Sequence, residues 1–125
     1  MVVGTGCDII EIKRIREASE NLTFLNKCFS DDEMALFRKR KMRFETVAGN
    51  FAAKEAVSKA LGTGFRGFGI KEIEVLRDEF EAPFVILSGG ALKIALDKKI
   101  MNIKVSISHC RDYAMAYAVA EGGEL

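Results

Sequence analysis

Between Tyr113 and Ala120 every second residue is alanine: Ala114, Ala116, Ala118 and Ala120 share one face of an extended segment, and Tyr113, Met115, Tyr117 and Val119 share the other. A strand face built only of methyl groups invites a helix to pack closely, so the segment asks for a helix laid on a sheet. A half-buried strand precedes it, where Ile103, Val105 and Ile107 alternate with Lys104, Ser106 and Ser108. At 125 residues and 49% hydrophobic the chain is the size of one domain, residues 1–125, with its own core.

The remaining elements follow from changes of period. Val2 to Cys7 reads as a short strand ending near Asp8, after which Ile9, Ile12 and Ile15 fall at helical spacing. The stretch from Phe24 to Phe29 is mixed, and Ser30-Asp31-Asp32-Glu33 resembles a capping box that opens a helix through about Lys41. Phe44, Val47, Ala48, Phe51 and Ala52 make one apolar stripe, which predicts a longer helix from Phe44 to Leu61 ended by Gly62-Thr63-Gly64. Strands over Ile70 to Arg77 and Phe84 to Leu87, joined across Asp78 to Pro83, form a hairpin, and a helix runs from about Gly90 to Lys98. The predicted order is strand, three helices, hairpin, helix, hairpin: an α+β fold.

Charge excludes some functions. The 19 basic residues nearly cancel the 18 acidic ones, so no overall field favours nucleic acid or an anionic membrane, and a charged partner must meet a local patch. No apolar stretch approaches the roughly 20 residues of a membrane span. Cys7, Cys28 and Cys110 fit neither a disulfide framework nor a CxxC metal pattern, which points to reduced thiols in a cytoplasm. Nothing at the start reads as a signal peptide.

Two segments carry candidate chemistry. On the long helix Phe51, Glu55 and Lys59 are successive i, i+4 neighbours, and Glu55 continues the apolar stripe. A carboxylate turned inward is costly unless positive charge meets it; Lys59 supplies part and a divalent cation would supply more. A solvated Glu55–Lys59 pair is the plainer alternative. Asp8 stands at a strand-to-helix junction behind Gly4 and Gly6, which let other groups approach the backbone; it reads either as a cleft carboxylate or, with Glu11, as a helix cap. One carboxylate from a strand end and one from the inner face of a helix make a plausible magnesium site. Weaker candidates are the glycine-rich run from Gly62 to Gly69, the basic run from Arg38 to Arg43, and His109 at a strand end.

Together the two segments resemble the signature motifs of the phosphopantetheinyl transferases, in particular the small bacterial holo-acyl-carrier-protein synthases. The first motif, approximately G-x-D before a helix ending in Arg, is matched by Gly6, Asp8, Glu11 and Arg14. The second, F-x-x-K-E-A-x-x-K-A-x-G, is matched by Phe51, Lys54, Glu55, Ala56, Lys59, Ala60 and Gly62, and Ser106-Ile107-Ser108-His109 is also similar to the family. The resemblance implies that Asp8 and Glu55 ligate Mg2+ with the diphosphate of coenzyme A, that Lys59 contacts the phosphate, and that Asp8, Glu55 and Lys59 form the catalytic group. It implies that Lys41, Arg43, Lys54, Lys59, Gly62 and His109 lie on the coenzyme A side. The reaction it implies is transfer of 4′-phosphopantetheine to a serine of apo acyl carrier protein, releasing adenosine 3′,5′-bisphosphate, in fatty acid biosynthesis. Either Glu55 or a metal-bound water is the base.

The resemblance further implies a homotrimer whose active sites lie between subunits, with His109 supplied by a neighbour. Lys13, Arg14 and Arg16 are the candidate contacts for the acidic carrier. Asn50 stands where the family commonly has a basic residue, which implies a weaker nucleotide-phosphate grip, and Glu17 and Glu20 replace further basic residues later in the first helix. Two competing readings are a nucleic-acid module using residues 38–43 and a structural oligomer in which Asp8 is only a cap. The first leaves Glu55 without a reason and lacks aromatics among the basic residues.

Overall fold

The computed structural model describes residues 1–123. The chain runs β1 (Val2–Glu11), α1 (Ile12–Ala18), α2 (Leu22–Cys28), α3 (Asp31–Lys39), α4 (Phe44–Ala60), a 3-10 turn (Ile70–Glu72), β2 (Ile73–Arg77), β3 (Pro83–Leu87), α5 (Gly89–Asp97), β4 (Ile100–His109) and β5 (Tyr113–Gly122). The α+β class holds, with four α-helices before the first hairpin rather than three. The added helix, α2, falls in the mixed stretch. It is capped by Asn21, whose side chain accepts from Thr23 N at 2.8 Å, and it buries Leu25 and Cys28.

Strands β1, β5 and β4 form an antiparallel sheet in that order, and β2 pairs with β3 in a separate hairpin. Helix α4 lies across the three-stranded sheet. Ala114, Ala116, Ala118 and Ala120 are fully buried there, as the alternating alanines require. The close approach extends to β1, where a Cβ on Gly6 would overlap the Ala56 carbonyl oxygen and one on Gly4 that of Ala60. Two residues along β1 thus match four along α4, about 6.7 Å of strand against about 6 Å of helix. Strand and helix run side by side in opposite directions.

Two junctions differ from the predicted boundaries. Strand β1 continues past Asp8 to Glu11, because Ile9 and Ile10 alternate across the sheet opposite Met115 and Ala114 instead of starting a helix. Residues Ile70–Glu72 form a 3-10 turn before β2 instead of its first residues. The capping box at Ser30 is present, with Ser30 Oγ 3.2 Å from Glu33 N and Glu33 Oε1 3.2 Å from Ser30 N. Helix α4 ends as its glycines require: Gly62 adopts φ +85°, and Lys98 Nζ donates to Leu61 O. No helix among the described residues is long and apolar enough to cross a membrane.

Candidate active site

The register of β1 against α4 decides where the carboxylates meet. Asp8 pairs with Ala116, whose methyl group is buried beneath α4, so the Asp8 side chain points to the helix side of the sheet. Asp8 therefore lies mid-strand and caps no helix; the cap position of α1 belongs to Glu11, whose side chain makes no capping bond. Two residues beyond Gly6 along β1, Asp8 comes level with the turn of α4 that carries Glu55, since Gly6 itself meets Ala56. Asp8 and Glu55 line one cleft of about 390 Å³ with Ile9, Ile10, Arg14, Ile15, Ala18, Phe24 and Phe51. Lys59, one turn beyond Glu55, reaches back to β1: its Nζ lies 3.3 Å from Asp8 Oδ1 and donates to Cys7 O at 2.8 Å. The carboxylate beside the Lys59 ammonium is that of Asp8, not that of Glu55 as a solvated helix pair would have it.

The electrostatics follow from that convergence. Partial burial pushes the Glu55 carboxyl above its ordinary value, the negative charge of Asp8 pushes it further, and Lys59 offsets part of the rise. Two carboxylates at the wall of one cleft, one of them with its charge disfavoured by burial and by the other, suit a hard divalent cation. The donors are oxygen, and two protein carboxylates leave coordination positions for water and substrate phosphate, the usual arrangement for magnesium. Among the described residues no group of three or more His, Cys, Asp or Glu is placed to hold a metal by itself, so the fit is to an ion shared with a ligand.

The other candidates separate into groups. Arg14 shares the Asp8 cleft, while Lys13 and Arg16 line a neighbouring hollow with Arg111 and Tyr113, and the Arg16 guanidinium lies 5.7 Å over the Phe44 ring. Lys41 and Arg43 line a second, cationic cleft of about 380 Å³ with Lys39, Arg40, Thr46 and Glu81. His109 is exposed at the end of β4 and is not among the residues lining either cleft. Gly62 serves the end of α4.

Lys54 requires a correction. It was expected on the coenzyme A side, yet its side chain is fully buried, 2.6 Å from Glu33 Oε1, and burial holds its ammonium below the ordinary lysine value. Glu33 is equally buried and its carboxyl is pushed up for the same reason, against the pull of Lys54. Asn50 is likewise interior: its Nδ2 donates to Val75 O at 2.7 Å and Glu33 Oε2 at 3.2 Å, so it takes no place in a phosphate grip. Sequence reasoning saw Glu33 only as a capping acid and missed its second role. The available signal was that α4 places a lysine among Ala52, Ala53, Ala56 and Val57, all of which are fully buried.

Comparison with known proteins identifies the family. Residues 4–118 match the family described as the 4′-phosphopantetheinyl transferase superfamily. A holo-acyl-carrier-protein synthase of Clostridium botulinum is 53% identical over 123 residues, covering 97% of this chain and 98% of that protein. The crystal structure of a holo-acyl-carrier-protein synthase from Neisseria meningitidis superposes with a TM-score of 0.89 at 30% identity, over 97% of this chain and 99% of the other. One from Bacillus anthracis, in complex with coenzyme A, superposes with a TM-score of 0.82 at 34% identity, over 98% of this chain and 99% of the other.

Proposed function

The chain belongs to the 4′-phosphopantetheinyl transferase superfamily and is an enzyme of its holo-acyl-carrier-protein synthase group, and from that premise we propose that Asp8 and Glu55 hold magnesium against the diphosphate of coenzyme A while Lys59 takes up charge on the phosphate. The observation that carries the proposal is that Asp8 and Glu55 line one cleft from two separate elements, with Lys59 3.3 Å from Asp8. Such a metal, bound there, would polarise the phosphoryl oxygens and neutralise charge developing on them.

The residues of the chain account for the rest of the transfer. Carrier serine Oγ forms a bond to the β-phosphorus, the bond from that phosphorus to the bridging oxygen breaks, and adenosine 3′,5′-bisphosphate departs with the electron pair. The Lys59 ammonium, half exposed at the cleft, stabilises that departing oxygen or protonates it. The serine proton needs an acceptor, and Glu55 or a water at the cleft takes it. Positioning and charge neutralisation dominate a transfer of this kind.

Several finer assignments belong to the same reading. The cationic cleft with Lys41 and Arg43 takes the nucleotide's 3′-phosphate. Exposed Lys13, Arg14 and Arg16 on α1 face the acidic carrier. The outer face of the β1–β5–β4 sheet, with Ile9 65% and Tyr117 44% exposed, assembles the trimer and brings in His109 of the partner subunit. The chain works as one transferase domain in fatty acid biosynthesis, and its three free cysteines support a cytoplasmic setting.

The experiment is to incubate the protein with coenzyme A, magnesium and apo acyl carrier protein and weigh the carrier. A phosphopantetheine mass gain that a chelator abolishes and magnesium restores is expected. Gain that survives in Glu55→Gln would remove the metal assignment, and no gain at all, beside a working transferase, would remove the function.

A further inference from the structure

Lys54 stands beside Glu55 in α4, yet it turns away from the cleft and spends its whole donor set inside the protein. Besides Glu33 Oε1 at 2.6 Å, its Nζ donates to Ile73 O at 2.5 Å and Ile70 O at 3.2 Å, so each of the three protons has an acceptor. Glu33 is used as fully: Oε1 accepts from Ser30 N, and Oε2 from Val75 N and Asn50 Nδ2, each at 3.2 Å. Four pieces of chain meet at this pair, namely α3 through Glu33, α4 through Lys54 and Asn50, β2 through Ile73 and Val75, and the 3-10 turn through Ile70.

We infer that Glu33 and Lys54 are positioning residues for the transfer site: the pair fixes the rotation of α4 that aims Glu55 into the cleft, and it pins the far end of the glycine-rich loop, residues 62–69, to the helix that the loop leaves. The inference rests on the carboxylate cleft being the reaction site. Successive helical residues point about 100° apart, so tying Lys54 to β2 sets the direction of Glu55. The carbonyl of Ile70, bound by Lys54, immediately follows Gly69, the last residue of the loop.

The cost of the arrangement argues for position over stability. Removing two charges from water is repaid only when geometry is good and the remaining donors and acceptors are satisfied, and a well-packed apolar pair of similar volume commonly does as well. Apolar contact, however, has no direction. The bonds around Glu33 and Lys54 select one rotation of α4, and they leave Lys54 no proton for a phosphate.

The test uses the full-length enzyme and the double variant Glu33→Gln/Lys54→Met, which removes both charges so that neither is buried alone. Glu33→Gln by itself, which keeps the shape and one carbonyl acceptor, replaces it if the double variant does not fold, with the same changes expected at smaller size. Thermal unfolding defines a temperature at which the variant is folded. At that temperature three quantities are compared with wild type: amide hydrogen exchange of residues 63–72, direct binding of manganese, and transfer kinetics. Exchange and manganese affinity should each change by about tenfold toward looser loop and weaker binding. The kcat should fall on the order of a hundredfold with KM for coenzyme A within about twofold. Unchanged exchange and manganese affinity, with activity tracking the folded fraction, overturns the inference and leaves a stability element. A raised KM for coenzyme A at unchanged exchange also overturns it, in favour of direct contact with the nucleotide. If wild type transfers nothing, the reading of the cleft fails, and the exchange and manganese arms still decide the positioning role.

Discussion

Lys59 Nζ sits 3.3 Å from Asp8 Oδ1 and 2.8 Å from Cys7 O, so a side chain of α4 grips β1 beside the residue that β1 presents to the cleft. The bridge is half open to water on the lysine side, at 52% exposure against 21% for Asp8. Such a contact contributes little to folding, on the order of a few tenths of a kcal/mol. Its worth lies in where it leaves the charge.

Lys59→Met should therefore separate stability from catalysis. The melting temperature should stay within about 2 °C of wild type, since an exposed pair is nearly neutral to stability. Transfer, followed by carrier mass, should fall by roughly 10²- to 10³-fold, the usual loss for a donor aimed at developing negative charge. A matching collapse of both quantities would mean that Lys59 is structural.

Glu55→Gln should show a pH signature in the metal-free protein. The folded Glu55 carboxyl lies above its ordinary value of 4.5, through burial first and Asp8 second. A raised carboxyl favours the folded state while protonated; that advantage is complete in acid below the ordinary value and is lost as pH rises through the folded one. At neutral pH the ionised group therefore opposes folding, and Glu55→Gln should melt higher than wild type in a chelator, with the difference vanishing in acid. Melting curves across pH check this, and a gain that is the same at every pH would refute it.

Much of this arrangement is legible in the sequence, and the parts that are not have a common cause. The alternating alanines, the Ser30 capping box and the long helix through Glu55 each rest on a local pattern, and each appears in the fold. The end of β1 is ambiguous in the sequence because Ile9, Ile12 and Ile15 fit a helix as well as Ile9 and Ile10 fit a strand, and pairing with Met115 and Ala114 decides between them. Helix α2 is only seven residues long, too short for its period to stand out among Phe24, Leu25 and Cys28. The Glu33–Lys54 pair joins residues in different helices and was invisible locally. Helix α4 is buried on more than one side, from Thr46 to Ala60, so a single apolar stripe could not tell the buried Lys54 from the cleft-facing Glu55.

Gly6→Ala tests whether the closeness of β1 and α4 sets the site. The added methyl would overlap the Ala56 carbonyl oxygen, a backbone atom that moves only if the helix moves. Overpacking of this kind costs about 1–3 kcal/mol or more. Because Asp8 rides on β1 and Glu55 on α4, transfer should drop further than the folded fraction does. Gly69→Ala, where a Cβ meets nothing within 4 Å at φ −94°, is the control and should be near neutral in both assays.

Lys41→Ala and Arg43→Ala address the second cleft. Both side chains line it with Lys39 and Arg40, and Glu81, which pairs with Arg40, is its acidic member. If the 3′-phosphate of coenzyme A rests there, each variant should raise KM for coenzyme A by roughly tenfold, the equivalent of one lost charged hydrogen bond at about 1.4 kcal/mol. KM for 3′-dephospho-coenzyme A should barely change. Equal losses for the two substrates would place the phosphate elsewhere.

The outer face of the three-stranded sheet yields the last prediction. Tyr117 stands between Cys7 on β1 and Ser106 on β4, and Ile9, Met115 and Val119 extend the apolar surface around it. Ile9 is 65% exposed and Tyr117 44%, a degree of apolar exposure that marks an interface more often than a free surface. Tyr117→Arg puts a like charge on that face in every copy of the chain while leaving the alanine face, and hence α4, untouched. Sedimentation should show a trimer for wild type and a folded monomer for the variant, the fold being checked by circular dichroism. Transfer should be lost with the trimer if His109 of the partner subunit completes the site. A variant that stays trimeric would show that the interface lies elsewhere, and a fully active monomer would show that each chain carries its whole active site.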